Sequence, residues 1–107
     1  MMLEDSPSAI GPGVLEHAVL QVVEGRESEF ERAFATARPL IESMEGFRSL
    51  DLVRGIEHPD RYLLLVEWAT LEDHTEGFRK SPEYERWREL LHRFYDPFPE
   101  VEHFQLV

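Results

Sequence analysis

Hydrophobic positions along the chain change period several times, and each change marks an element. "VLEHAVLQVV", Val14 to Val23, is dense in β-branched residues and stops at Glu24-Gly25, which predicts a strand closed by a turn. Phe30, Phe34, Ala37, Ile41 and Met44 then recur at steps of three and four, the stripe of an amphipathic helix with Glu27, Glu31, Arg32 and Arg38 on its other side. Pro39 falls within the stripe, where it removes a backbone donor and predicts a bend near Thr36 to Pro39. After Gly46, "FRSLDLVRGI" reads as a second strand. Leu50, Leu52 and Ile56 share one face, and Ser49, Asp51 and Val53 share the other. "EHPD" is a turn, so "RYLLLVEWA" returns antiparallel as a third strand. Its run Leu63, Leu64, Leu65, Val66 lacks alternation, so both of its faces are expected to be covered.

Thr70 with Asp73 three residues later is a variant capping box, and Leu71, His74 and Phe78 mark the buried side of a short helix. Ser81-Pro82 starts another helix, with Tyr84, Trp87, Leu91 and Phe94 as its stripe. "YDPFPE" breaks it, and "VEHFQLV" is a fourth strand. The order strand, helix, strand, strand, helix pair, strand predicts an α+β domain of the ferredoxin-like split βαβ type. Four antiparallel strands carry the helices on one face. The other face would then be bare while presenting Leu, Val and Ile. Burial is worth about 25 cal/mol per Å² of apolar surface, so a two-fold homodimer packed through the sheet faces is the expected cover.

Composition narrows the function classes. Of 107 residues, 22 are acidic and 11 are Lys or Arg, a formal charge of −11 that repels phosphate backbones and disfavours nucleic acid or anionic membranes as partners. There is no cysteine, which removes disulfides, thiolate metal sites and cysteine nucleophiles. The segment 1–13, rich in Ser, Pro and Gly, reads as a flexible tail ahead of a single domain, 14–107. It lacks the pattern of a secretion signal and no run is long enough to span a bilayer, so cytoplasmic residence is the expectation. His17, His58, His92 and His103 show no metal-ligand spacing. A metal would need distant strands, His17 with His103 for example, and none is expected. No Gly-rich phosphate loop follows a strand.

Taken together, "EWATLEDHTEGFRKSPEYERWRELL", the closing "VEHFQLV" and "EGF" at Glu45 to Phe47 resemble the antibiotic biosynthesis monooxygenase domain family, over roughly residues 14 to 107. The resemblance implies a dimeric α+β barrel with a cleft between helices and sheet. The family's quinone-forming branch oxidises aromatic compounds without metal or flavin, and such a site needs a base, a group that holds an anion and an apolar wall. On this resemblance His74 is the expected base, Trp68 the wall and donor, and Arg88 the anion stabiliser. Leu64, Phe78, Trp87 and His17 are the expected substrate contacts. Leu64 stands where that branch has an Asn. In the haem-degrading branch, Phe78 stands for the required Trp, Arg88 for the axial His and Ala18 or His17 for the Asn, with His92 the nearby candidate for a ligand, so haem is not expected. The leading expectation is a cofactor-independent monooxygenase acting on a small aromatic or quinol-like compound. The alternative is a non-catalytic dimeric module that binds a small hydrophobic ligand, with Trp68, Trp87 and Tyr84 as core and His74 as a satisfied buried imidazole.

Overall fold

The computed structural model describes residues 13–107. Most of the expected tail, residues 1–12, lies outside the described residues. The elements are β1 (Val14–Gln21), α1 (Glu27–Glu42), β2 (Phe47–Arg54), β3 (Arg61–Trp68), a π-helical turn (Asp73–Phe78), α2 (Pro82–Leu91), a short 3-10 turn (His92–Phe94) and β4 (Val101–Phe104). The sheet order is β2-β3-β1-β4 with every pair antiparallel, the ferredoxin-like α+β arrangement. Both helices cover one face. Ala18, Leu20, Leu50, Leu64 and Val66 of the strands meet Phe30, Phe34, Ala37 and Ile41 of α1 and Trp87 and Leu91 of α2 in one core. Phe30 is at its centre, with the rings of Tyr62, Phe94 and Phe34 at 4.9, 5.8 and 6.0 Å.

Several local expectations hold with their chemistry visible. Thr70 and Asp73 form the reciprocal box: the Asp73 backbone N–H donates to Thr70 Oγ1, and the Thr70 N–H donates to Asp73 Oδ2, both at 3.1 Å. Ser81 Oγ caps α2 by accepting from the Tyr84 N–H at 3.1 Å, with Pro82 at the first helical position. The helix α1 is uninterrupted at Pro39, whose ring lies on the exposed side.

Three details differ from the sequence reading. Ile56 does not continue the inner face of β2; it is 90% exposed. The strand ends at Arg54 because the chain turns sharply at Gly55, whose N–H donates to Arg61 O at 2.7 Å. The alternation in β2 is broken by a bulge between Phe47 and Ser49. One extra residue lets Phe47 share the inner face with Trp68, edge to face at 6.1 Å, while Ser49 stays on the outer face with Glu67. The segment carrying His74 is a π turn, not an ordinary helical turn: the Arg79 N–H donates to His74 O, five residues back, at 3.0 Å.

The outer sheet face carries Leu15, His17, Val19, Val53, Leu63, Leu65 and Phe104. Val19, Val53 and Phe104 are 45%, 47% and 45% exposed, and the other four are half-buried. Among the described residues, no helix is long and apolar enough to cross a membrane.

Gly46 ties the helical layer to the sheet. Its φ of +84° suits glycine, its carbonyl accepts from the Ala69 N–H at 2.8 Å, and a Cβ there would run into the Asp73 carboxylate. Gly25 also has positive φ, +91°, but faces open space. Gly25→Ala should therefore cost about 1 kcal/mol in urea unfolding, the backbone penalty alone, and Gly46→Ala about 2 kcal/mol or more. Equal costs at the two positions would remove the Asp73 contact from this account.

Candidate active site

Alternation along β1 places Glu16 on the inner face with Val14, Ala18 and Leu20, a carboxylate among apolar neighbours. Glu16 is 5% exposed. An isolated buried carboxylate is costly, so its partners define the site. Trp68, at the end of the adjacent strand β3, donates its indole N–H to Glu16 Oε1 at 2.9 Å. His74 Nε2 lies 3.4 Å from the same oxygen. On its other side, His74 Nδ1 lies 2.8 Å from Nε2 of His103, which sits on β4 directly opposite Glu16 in the sheet register. The imidazole of His74 stacks on the Trp68 indole, with ring centroids 5.5 Å apart and planes 20° from parallel. The π turn carries His74 and Phe78, four residues apart, both on its buried side.

The cluster opens onto a cleft of about 330 Å³ between sheet and helices. Leu64, Phe78, Trp87, Phe98 and Val101 give it apolar walls; Glu16, His74, Arg79, Tyr84, His92 and Tyr95 supply polar groups. That volume is at the small end of ligand sites. Burial raises the Glu16 carboxyl to about 7, against the pull of the Trp68 hydrogen bond and the Arg79 charge. Burial lowers the His74 imidazole to about 3, helped by the positive charge of Arg79 and by His103. The Glu16–His74 contact therefore sets a carboxyl group that titrates near neutrality against a neutral imidazole and is not an ion pair. Burial and Arg79 also lower His103.

Of the residues singled out in the sequence, His74, Leu64, Phe78 and Trp87 line the cleft. Trp68 is fully buried behind it and acts on Glu16 as a donor, so the wall is built by others. Arg88 is not at the cleft. One step along α2 from buried Trp87 turns it by about 100° to the exposed surface, where it pairs with Glu85 at 3.0 Å. The cleft cation is Arg79, just past the π turn and in no ion pair among the described residues. His17 is also elsewhere: alternation in β1 puts it on the outer face, edge-on to Phe104 at 5.5 Å. The same alternation separates it from His103, so these two do not form a metal pair. Among the described residues no group of three or more His, Asp or Glu is arranged to hold a metal ion. Glu16 had a readable signal as an acid within the apolar inner-face pattern of β1. His103 and Arg79 had none, because what brings them in is the β4 register and the π turn.

The raised Glu16 carboxyl has a signed consequence for stability. Its folded value, about 7, exceeds the ordinary value of 4.5, so the native state binds the extra proton between them. The contribution is full below the ordinary value and is lost as pH rises through 7. His74 works oppositely, losing its contribution as pH falls below its ordinary 6.5 toward 3, and is shared by wild type and a Glu16 variant. Glu16→Gln should therefore gain stability relative to wild type between pH 5 and pH 8, by about 2 to 3 kcal/mol in total. Parallel stability curves in urea titrations across that range would contradict the assignment.

Comparison with known proteins accords with this fold. Residues 13–90 match the family model described as antibiotic biosynthesis monooxygenase. The chain is 59% identical over 94 residues to the uncharacterised protein YczJ of Bacillus subtilis, covering 88% of this chain and 99% of that one. It is similar to the structure of a protein described as a "putative antibiotic biosynthesis monooxygenase" from Bordetella bronchiseptica. The two are 38% identical with a TM-score of 0.82, over 89% of this chain and 98% of that one. The structure of SnoaB from Streptomyces nogalater, described as a cofactor-independent oxygenase, shares the fold at 18% identity with a TM-score of 0.75, over 89% and 94% of the two chains. With its cleft, its sheet order and a family match spanning most of its length, this chain belongs to the antibiotic biosynthesis monooxygenase family.

Proposed function

We propose that the protein is a cofactor-independent monooxygenase that oxidises a small, flat phenolic or quinol-like compound within the cleft. The observation that carries this reading is a buried carboxyl group poised near neutrality, Glu16, at the wall of an apolar cleft with one cation, Arg79, beside it. A general base works best with a pKa near the working pH. That makes Glu16 a better-matched base than the imidazole of His74, which burial keeps neutral. Trp68 and His74 hold the carboxylate in place, and Arg79 faces the oxygen on which negative charge develops. Phe78 and Trp87, edge to face at 5.5 Å, and Leu64 form the walls against which a flat ring packs.

With an anthrone-type substrate the chemistry balances: one ring methylene group and one dioxygen give one ring carbonyl group and one water. Glu16 takes a C–H proton, and the resulting enolate passes one electron to dioxygen. The radical pair combines into a C–O bond, and the peroxide receives the proton back. Loss of the second C–H proton with cleavage of the O–O bond leaves the carbonyl and water. The description of SnoaB as a cofactor-independent oxygenase supports this class of reaction. Leu64 in the cleft wall makes Glu16 the polar group on the sheet side of this site.

The working unit in this reading is a homodimer joined through the outer sheet faces. Exposed Val19, Val53 and Phe104 lie beside half-buried Leu63 and Leu65 there, an apolar surface with much to gain from a second copy.

Aerobic incubation with an anthrone or a naphthol should consume oxygen, and Glu16→Gln should lower kcat at least about a hundredfold while the circular dichroism spectrum is retained. Thermal stabilisation by these compounds without oxygen uptake in wild type would instead identify a binding module. In sedimentation at micromolar concentration the wild type should run as a dimer and Leu65→Glu as a folded monomer; a monomeric wild type would discard the dimer.

A further inference from the structure

Glu16, His74 and His103 form a line of proton-carrying atoms, a close contact followed by a hydrogen bond. Glu16 Oε1 and His74 Nε2 are 3.4 Å apart, and His74 Nδ1 and His103 Nε2 are 2.8 Å apart. The line begins at a carboxyl group in the cleft wall and ends on β4, an edge strand, at a half-buried ring. A neutral imidazole has one N–H, so two neutral histidines at 2.8 Å share one proton between facing nitrogens. The state of Glu16 therefore decides which tautomer His74 adopts.

We infer that Glu16, His74 and His103 are a proton relay through which the buried carboxyl group exchanges its proton with solvent while the cleft is occupied. When Glu16 is protonated, its O–H faces the lone pair of His74 Nε2, and His74 Nδ1–H donates to His103 Nε2. Release proceeds by three coupled transfers: Glu16 O–H to His74 Nε2, His74 Nδ1–H to His103 Nε2, and the remaining His103 N–H, on Nδ1, to water. The product state is a Glu16 carboxylate accepting from His74 Nε2–H, with His74 Nδ1 accepting from His103 Nε2–H. One proton has left, both imidazoles are neutral again, and each hydrogen bond has reversed direction. Burial and Arg79 disfavour a second proton on His74, so it conducts the proton without storing it. The groups facing Glu16 are Trp68 from β3, His74 and Arg79 from the segment after it, His103 from β4 and Tyr95 beyond α2. Of these, His74 and His103 are the two that connect it to the edge of the sheet.

For the proposed oxygenase, on which this role in turnover rests, the relay arms the base. A protonated Glu16 cannot accept a C–H proton, and substrate filling the cleft would otherwise seal the resting proton in. His103 acts through His74, as a positioning and relay residue.

Nitrogen-15 NMR of the imidazoles tests the relay in the intact protein without any substrate. His74 should be the Nδ1–H tautomer at pH 6 and the Nε2–H tautomer at pH 8.5, and Glu16→Gln should abolish the change. A single tautomer at both values in wild type would overturn the relay, whatever the reaction. In oxygen-uptake assays, His103→Phe should lower kcat about tenfold or more at pH 6.5 and approach wild type at pH 8.5, where Glu16 ionises before substrate binds. Added imidazole should restore turnover to His103→Ala. Full activity of His103→Phe at pH 6.5 would also overturn the relay. A wild type that switches tautomer but consumes no oxygen would retain the relay and discard the oxygenase reading.

Discussion

The arrangement of this site depends on one costly constraint, a carboxyl group held on the apolar face of a sheet. Glu16 lies between Val14 and Ala18 in the inner-face pattern of β1 and is nearly inaccessible to water. Leaving such a group without partners costs several kcal/mol, and ionising it costs more. The fold answers with an indole N–H from β3, an imidazole from the π turn and a second imidazole from β4. Each partner comes from a different element, so the site exists only when the sheet register and the π turn are both in place. The result is a carboxyl group that titrates near neutrality, an environment that structural residues seldom have and proton-transfer groups require.

The π turn illustrates how local structure and chemistry are joined. An α-helical turn would keep i+4 bonding and a narrower ring; here the Arg79 N–H reaches back five residues to His74. The segment begins at the Thr70–Asp73 box and is braced against β2 by Gly46, whose missing side chain leaves room for the Asp73 carboxylate. His74 thereby packs against both Trp68 and Phe78, which also meet each other at 6.0 Å, and Arg79 lines the cleft. A cation next to two imidazoles and a carboxyl group biases all three toward their less positive forms.

The two sheet faces divide the work. The inner face holds the site and the core. The outer face carries Val19, Leu63, Leu65 and Phe104, with Glu67 accepting from Ser49 Oγ at 3.1 Å through one oxygen while its other oxygen is buried without a partner among the described residues. An apolar surface with a half-satisfied carboxyl group is unfinished in the same sense as the run Leu63 to Val66, which shows no preference for either face. A second copy against that surface is consistent with both features.

Much of the fold is legible from residue periods alone, because strand and helix repeats are local: the order of elements, the Thr70 box, the Ser81 start and the inner stripe Phe30, Phe34, Ala37 and Ile41 all follow from spacing. The candidate site is legible only in part. Glu16 is visible as an acid in an apolar alternation, and His74, Phe78 and Trp87 as inward positions. Arg88 and His17, carried over from the family resemblance, lie on the exposed side of α2 and the outer sheet face, since a step of one residue in a helix or a strand moves a side chain to a different surface. The amino-acid sequence by itself determined which side chains point inward along each element. Only the tertiary structure decided which inward groups meet, because Glu16, Trp68, His74 and His103 lie as far as 87 residues apart and are joined by strand register and a π turn that no local pattern encodes.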